Sequence, residues 1–260
     1  GHNFNVLTFS QDPVASNNSK IDILVCLDEN TEKMHKKYLK KGSIILKGHK
    51  ENMYYAGAIF RLLGLNLRDL ESDINSLKKM VEENLKFAKL GYGNEKRNLC
   101  NIKPRKKNFY FSSGSESIAN GAIASGLDIY YAYPMTPATP ALIELAEKQI
   151  ENKYLVVELE NEIAVINAAI GSAITGAKSM IGTSGGGFDL MTEALSMAGM
   201  AEVPLVAYLA QRPGPSTGIP TYTSQGDLSM TLNCGHGEFS RLVLAPGDSN
   251  ECQELVSQAF

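Results

Sequence analysis

"DIYYAYPMTPATPALIELAEKQI", residues 128–150, joins a strand-like run to a helix-like run through three prolines. Asp128 to Tyr133 is short, β-branched and aromatic, as suits a buried strand. Ala141 to Ile150 places Leu142, Leu145 and Ala146 at helical spacing. Between them lie Pro134, Thr136, Pro137, Thr139 and Pro140. The blandest reading is a proline-stiffened turn with a capping threonine. Two or three residues would make a plain strand-to-helix turn, so a stiff loop carrying two hydroxyls calls for another use.

Outward from this unit the pattern repeats. Helix 113–126 opens on "SSGSE", where Ser115 or a neighbour can cap, and strand 128–133 and helix 141–150 follow. Strand 154–159 precedes helix 162–175, strand 179–183 leads through "SGGG" into helix 188–200, and strand 204–210 runs into a long loop. A helix near 224–233, a strand at 241–245 and a helix at 248–260 complete the segment. Strands rich in Val, Ile and Ala that alternate with helices predict a parallel sheet covered on both faces. Ligands of such sheets lie beyond the carboxyl ends of the strands.

The first segment reads as a shorter α/β pattern. It has strand 21–27, an amphipathic helix from Glu29 to Lys41 closed by Gly42, strand 43–47, and helices at 51–63 and 68–90. No glycine-rich phosphate loop precedes a strand here, so no nucleotide site follows from it. Charge separates the two segments. Residues 1–110 hold 20 Lys/Arg against 12 Asp/Glu, and the remainder 5 against 16, which together give the net −3. The densest basic stretch, "KRNLCNIKPRKK" from Lys96 to Lys107, lacks the interleaved aromatics of a nucleic-acid site and reads as a solvated linker. The boundaries are 1–95, a linker 96–107, and 108–260.

At 260 residues the chain suits one large or two modest domains. No apolar run approaches the roughly 20 residues that span a bilayer. The opening "GHNFNVLTFSQDP" lacks an initiator Met and a signal-peptide pattern, and reads as the middle of a strand in a fragment. Cys26, Cys100, Cys234 and Cys252 are scattered without CxxC spacing. That argues for a reduced, cytoplasmic setting and against an iron–sulfur or zinc site in this chain.

Three loops after strands carry unusual residues. "YPMTPATP" follows the first strand of the sheet, "ENE" with Glu158, Glu160 and Glu162 in alternation follows the second, and "AQRPGPSTGIPTYTSQGD" (210–227) follows the fourth. The bland readings are a solvent-facing strand edge whose last acid caps a helix, and a surface loop. Eighteen residues without regular structure are nevertheless long for a compact domain. "TSGGGF" (183–188) sets glycines at a helix start, suited to close backbone approach or an anion but weak as a nucleotide signature. Only five basic residues follow position 110, and one of them, Arg212, lies inside the third loop. A guanidinium there suits bidentate capture of a carboxylate or phosphate, with a salt bridge to a neighbouring acid as the alternative.

In this order, "YPMTP", "VVELENEIAVINAAIGSAITGAKSMIGTSGGGFDLMTEALSMAGMAEVPLV", "QRPGPSTGIPT…QGDL" and "GHGEF" resemble the alpha chain of 2-oxoacid:ferredoxin oxidoreductases over nearly all of 108–260. The first segment resembles part of that family's gamma domain, fused ahead of alpha. The resemblance implies an α/β fold: a parallel-sheet, transketolase-like domain that binds the pyrimidine of thiamine diphosphate, preceded by a partial gamma-type domain. It implies thiamine-dependent oxidative decarboxylation of a 2-oxoacid, 2-oxoglutarate as first guess, with acyl transfer to coenzyme A and electrons passed to ferredoxin. The cofactor would be shared with a beta subunit that holds Mg²⁺ and the iron–sulfur cluster; "QGD" and "GDS" are not the family's GDG-type motif. The chain would thus act in a hetero-oligomer, with no nucleic acid and no membrane.

By the resemblance Glu162 and Thr136 are catalytic. Arg212, Thr136, Ser216 and Thr217 face the substrate, and Glu162, Tyr133, Pro134, Ser184 and Gly185 the cofactor. The implied role of the glutamate has a physical basis. A carboxyl group hydrogen-bonded to the far nitrogen of the aminopyrimidine favours its imino form, and such a group works best partly desolvated. Glu158 and Glu160 end the strand, whereas Glu162 opens the apolar helix "IAVINAAIGSAI". The prolines beside Thr136 hold its hydroxyl at low entropic cost. Two alternatives stay open: an indolepyruvate or branched-chain 2-oxoacid enzyme, and a non-catalytic α/β scaffold or small-ligand sensor.

Overall fold

The computed structural model describes residues 4–10, 14, 20–77, 79–103 and 110–260. The chain divides into two units, Gly1–Asn108 and Phe109–Phe260.

In the first unit, β1 (Ile21–Val25) is followed by the short helix α1 (Thr31–His35), a single 3₁₀ turn (Lys36–Tyr38) and β2 (Leu39–Leu46). The helix expected over 29–41 is therefore only five residues long, and its last three residues, Leu39 to Lys41, are strand. Pairing overrides the helical periodicity: β2 runs parallel to β1, Ser43 Oγ donates to the Ile21 carbonyl at 2.6 Å, and Lys40 reaches Asp22 at 2.7 Å. Gly42 does not close a helix. It takes φ +86° where the register slips between Ile21 and Ile23, a bulge conformation that favours glycine. Residues 4–10 form no strand, and the first three residues of "GHNFNV" lie outside the described residues.

Helix α2 (Asn52–Leu62) packs on β2, and α3 (Leu67–Ser76) and α4 (Val81–Asn94) pack against α2. The single helix expected over 68–90 is broken, with Met80 left-handed at φ 53°, so that α4 turns back onto α2. The two backbones touch. A Cβ on Gly91 would stand 1.8 Å from the Tyr54 carbonyl oxygen, and one on Gly57 2.0 Å from that of Ala88. Of the basic stretch, Arg97 forks onto Glu95, and the amides of Leu99 and Ile102 bond the carbonyls of Leu62 and Leu63. Residues 104–107 of the expected linker lie outside the described residues.

The second unit starts with α5 (Gly114–Ala124), capped by Ser113, whose hydroxyl accepts from the Glu116 amide at 3.1 Å. Then come β3 (Ile129–Ala132), α6 (Thr139–Asn152), β4 (Leu155–Glu158), α7 (Glu162–Ile174), β5 (Ser179–Thr183), α8 (Gly185–Met200), β6 (Val206–Leu209), α9 (Leu228–Asn233) and α10 (Ser249–Ala259). The four strands form a parallel sheet in the order β4-β3-β5-β6. Alternate residues of β3 feed two cores. Tyr130 and Ala132 pack with Ala119, Leu145 and Val256, and Tyr131 packs with Ile166, Ile170 and Met191 on the other face.

The strand expected at 241–245 is absent from this sheet. Arg241 holds the segment elsewhere: it donates to the Cys234 carbonyl at 2.7 Å and stacks 4.0 Å from the Phe239 ring, while Leu242 is exposed. Two helices begin earlier than expected. Pro140 sits in the first turn of α6, where its missing N–H costs nothing, so the proline loop is 133–138. The glycines of "SGGG" form the first turn of α8.

Candidate active site

Register brings the strand ends to one level. Ala132 pairs with Glu158 and with Gly182, and Gly182 pairs with Tyr208. The chain segments leaving β3, β4, β5 and β6 therefore emerge side by side at the carboxyl end of the sheet, where parallel α/β folds bind ligands. All the residues singled out in the sequence leave from this end.

The three alternating glutamates separate here. Glu158 and Glu160 are exposed, whereas Glu162 is only 5% exposed. Asn161 caps α7, its side chain accepting from the Ala164 amide at 2.9 Å, which makes Glu162 the first helical residue. A carboxylate is favoured at that helix end by the macrodipole. Among the described residues no hydrogen bond or ion pair engages the Glu162 carboxylate. Its position is set by packing against α8: a Cβ on Gly187 would stand 2.2 Å from Thr183 Oγ1, 2.9 Å from Glu162 Cγ and 3.0 Å from Glu162 Oε1. Gly187 is the residue that lets α8 approach the acid so closely.

The other two loops are joined. Arg212 Nη1 donates to the Thr136 carbonyl at 2.5 Å, so the guanidinium ties the 210–227 loop to the proline loop. No salt bridge to Arg212 forms among the described residues, and its buried Nε has no hydrogen-bond partner. Thr136, Tyr133, Pro134, Ser216 and Thr217 are exposed. Ser216, at φ 54°, lays its carbonyl oxygen 3.6 Å from the Cβ position of Gly186, so the long loop passes over the first turn of α8.

Ser184, the residue before α8, is fully buried, and its hydroxyl neither caps the helix nor finds another partner. Beside Gly185 stands Asp227, with Oδ2 3.0 Å from the Cβ position. Four buried side-chain polar atoms among the described residues lack hydrogen-bond partners, and three of them, Ser184 Oγ, Arg212 Nε and Asp227 Oδ2, belong to this end of the sheet. Buried polar groups are ordinarily satisfied, so such a concentration fits a surface made for a ligand. Asp227 and Gln211 were not singled out in the sequence, whereas Gly187 belongs to the "TSGGGF" stretch expected to allow close backbone approach. The "QGD" triplet that ends the loop was the available signal for Asp227.

These residues fit thiamine diphosphate as a ligand. A carboxylate free of protein partners, on a residue only 5% exposed, suits the aminopyrimidine. By contrast, no group of three or more His, Cys, Asp or Glu side chains among the described residues could hold a metal ion for the diphosphate. No described helix is long and apolar enough to cross a membrane.

Comparisons with known proteins agree with this assignment. The 2-oxoacid:ferredoxin oxidoreductase 1 alpha subunit of Sulfurisphaera tokodaii is 36% identical over 216 residues, covering 74% of this chain and 33% of the relative. The 2-oxoglutarate synthase subunit KorA of Archaeoglobus fulgidus is 39% identical over 147 residues, covering 56% of this chain and 42% of its own. The chain thus spans about a third of the length of the first of these relatives. A 2-oxoglutarate:ferredoxin oxidoreductase from Magnetococcus marinus, solved with 2-oxoglutarate, coenzyme A and succinyl-CoA bound, shares the fold. It has a TM-score of 0.83 at 24% identity, over 96% of this chain and 51% of that one. The family model described as pyruvate flavodoxin/ferredoxin oxidoreductase, thiamine diP-binding, matches residues 120–260, more than half of the chain. With the parallel sheet, the buried glutamate and the joined loops in place, the chain belongs to this thiamine diphosphate-binding family.

Proposed function

We propose that the chain is part of the alpha subunit of a 2-oxoacid:ferredoxin oxidoreductase. In this reading the second unit supplies the pyrimidine half of a thiamine diphosphate site and the first is a partial gamma-type domain. A beta subunit completes the site with Mg²⁺ and an iron–sulfur cluster. The enzyme works in the cytoplasm as a hetero-oligomer, and 2-oxoglutarate is the first substrate to try, with coenzyme A as acyl acceptor and ferredoxin as electron acceptor. The names of the relatives support the class. The observation that carries the reading is Glu162, only 5% exposed as a residue, its carboxylate without a protein partner and its side chain packed against the first turn of α8.

Bound thiamine diphosphate supplies a carbon nucleophile for the 2-oxo group and accepts the electron pair left by carbon dioxide. Glu162 shares a proton with the ring nitrogen of the aminopyrimidine and so fixes its tautomer. Arg212 offers its remaining N–H groups, the unpartnered Nε among them, to the substrate carboxylate, while Nη1 keeps the two loops together. Thr136, on the loop that Arg212 holds, donates its hydroxyl near the 2-oxo oxygen. Tyr133 and Pro134 form a wall on the cofactor side, Ser184 and Gly185 the floor, and Ser216 and Thr217 the substrate rim.

Glu162→Gln keeps the shape and removes the proton-accepting oxygen. In a complex reconstituted with the beta subunit, it should leave cofactor affinity within a few-fold. Deuterium exchange at the thiazolium carbon and turnover should fall by at least about 10²-fold, the usual worth of a positioned acid–base group. If Glu162→Gln stays active while Glu158→Gln or Glu160→Gln is dead, the proton belongs to another acid.

A further inference from the structure

Gln211 closes the long loop at its base, next to the arginine that the loop carries. Pairing of β6 with β5 continues one residue past the strand, where the Ala210 amide donates to the Thr183 carbonyl at 2.9 Å, and Gln211 follows. The other arm of the loop ends at Asp227, which opens α9: its carbonyl accepts from the Thr231 amide at 2.9 Å and from Thr231 Oγ1 at 2.8 Å. The amide of a residue that opens a helix has no partner inside that helix. Gln211 supplies one, its Oε1 accepting from the Asp227 amide at 2.9 Å, across 16 positions of chain. Further out the loop closes a second time. The amides of Gly218 and Ile219 donate to the carbonyls of Pro215 and Pro213, both at 3.1 Å. Gly218, at φ +57°, approaches Pro213 so closely that a Cβ would stand 1.6 Å from its carbonyl oxygen. Arg212 is the single residue between the two closures, and its Nη1 is tied to the Thr136 carbonyl.

We infer that Gln211 is a positioning residue for Arg212. Its bond to Asp227 holds the residue before the arginine, and the 213–219 turn holds the residue after it. With both chain neighbours fixed, fewer backbone conformations compete with the one that brings the guanidinium to the proline loop. A substrate carboxylate then meets an arginine already in place, and the cost of ordering the loop is not taken from binding. The benefit to substrate binding rests on the proposed function; the closure of the loop does not.

The test compares wild type, Gln211→Met, Arg212→Ala and the double variant in the reconstituted complex. Methionine keeps the length of the side chain and removes the acceptor oxygen. Gln211→Met should raise KM for the 2-oxoacid about three- to tenfold, the usual worth of one hydrogen bond. Its kcat should stay within about twofold and its deuterium exchange at the thiazolium carbon should be unchanged, because neither depends on capture of the substrate carboxylate. In the Arg212→Ala background the same substitution should change KM no further, since no guanidinium is left to place. Gln225→Met, at an exposed position of the same loop, is the control and should match wild type. Amide hydrogen exchange across 211–227 should be faster in Gln211→Met than in wild type. A wild-type KM in Gln211→Met, a loss of kcat and thiazolium exchange as large as the rise in KM, or full additivity with Arg212→Ala would overturn the positioning role. Should the complex oxidise no 2-oxoacid, or Arg212→Ala keep near-normal kinetics, the proposed function of the arginine fails. Amide exchange then decides the closure alone: faster exchange in Gln211→Met keeps it, and unchanged exchange overturns it.

Discussion

Gly187→Ala is a small substitution aimed at the contact between Glu162 and α8. A new Cβ would lie 2.2 Å from Thr183 Oγ1 and 2.9–3.0 Å from Glu162 Cγ and Oε1. Ordinary contacts begin near 3.4 Å. The threonine oxygen must therefore retreat by about 1.2 Å and the glutamate by about 0.4–0.5 Å. Thr183 is fully buried, so little space exists for the retreat. Overpacking of this kind costs about 1–3 kcal/mol, and the better helix propensity of alanine returns about 1 kcal/mol. The net loss of stability should be about 0–2 kcal/mol, while the effect on chemistry should be much larger. Misplacing a reacting group by about 1 Å can cost about 10²-fold. The neighbouring Gly186→Ala is the control, because its Cβ would meet only the Ser216 carbonyl oxygen, at 3.6 Å. Urea unfolding of the chain and thiazolium deuterium exchange in the reconstituted complex report the two quantities. Gly186→Ala should be neutral or more stable by up to about 1 kcal/mol, with normal exchange. If both variants keep wild-type exchange, Glu162 is not positioned by α8 and the reasoning fails.

Two further outcomes follow from separate contacts. Arg212→Ala should lose about 2–5 kcal/mol of transition-state binding, read as a fall of orders of magnitude in kcat/KM for the 2-oxoacid with unchanged unfolding of the chain; near-normal kinetics would make the arginine a loop tie only. Gly91→Ala, whose Cβ would stand 1.8 Å from the Tyr54 carbonyl oxygen, should destabilise the first unit by about 1–3 kcal/mol in urea. Gly93→Ala in the same helix, with nothing within 4 Å, should not, and equal effects would refute the backbone contact.

The parallel sheet was legible because its signals are local. "DIYYAY" and "LVVELE" are short β-branched or aromatic runs bounded by proline or a helix cap, and the helices flanking them, α5 and α7, are capped by side chains, Ser113 and Asn161. Glu162 was separable from Glu158 and Glu160 because a helix start follows it. What failed depended on pairing over distance. "HKKYLKKGS" has helical spacing, but its fate is decided by hydrogen bonds to a strand some twenty residues earlier. "RLVLA" has the composition of a strand, yet Arg241 finds better partners at Cys234 and Phe239. Asp227 carries a local signal in "QGD", but its neighbour Gly185 lies 42 residues away in sequence and close only in space.

The level strand ends set apart two kinds of residue with different freedom to change over generations. Glu162 belongs to a helix turn and is packed against a glycine of another helix, so drift at Thr183 or Gly187 would disturb the proposed proton chemistry at once. Thr136, Ser216 and Thr217 sit on loops that hang from the ends of β3 and β6 without forming part of the sheet. A lineage could therefore exchange one oxoacid for another by rewriting a few rim positions while inheriting the acid, its clamp and the sheet unaltered. Divergence in substrate range should then accumulate in 133–138 and 210–227, and the first turns of α7 and α8 should be the last places where it is tolerated.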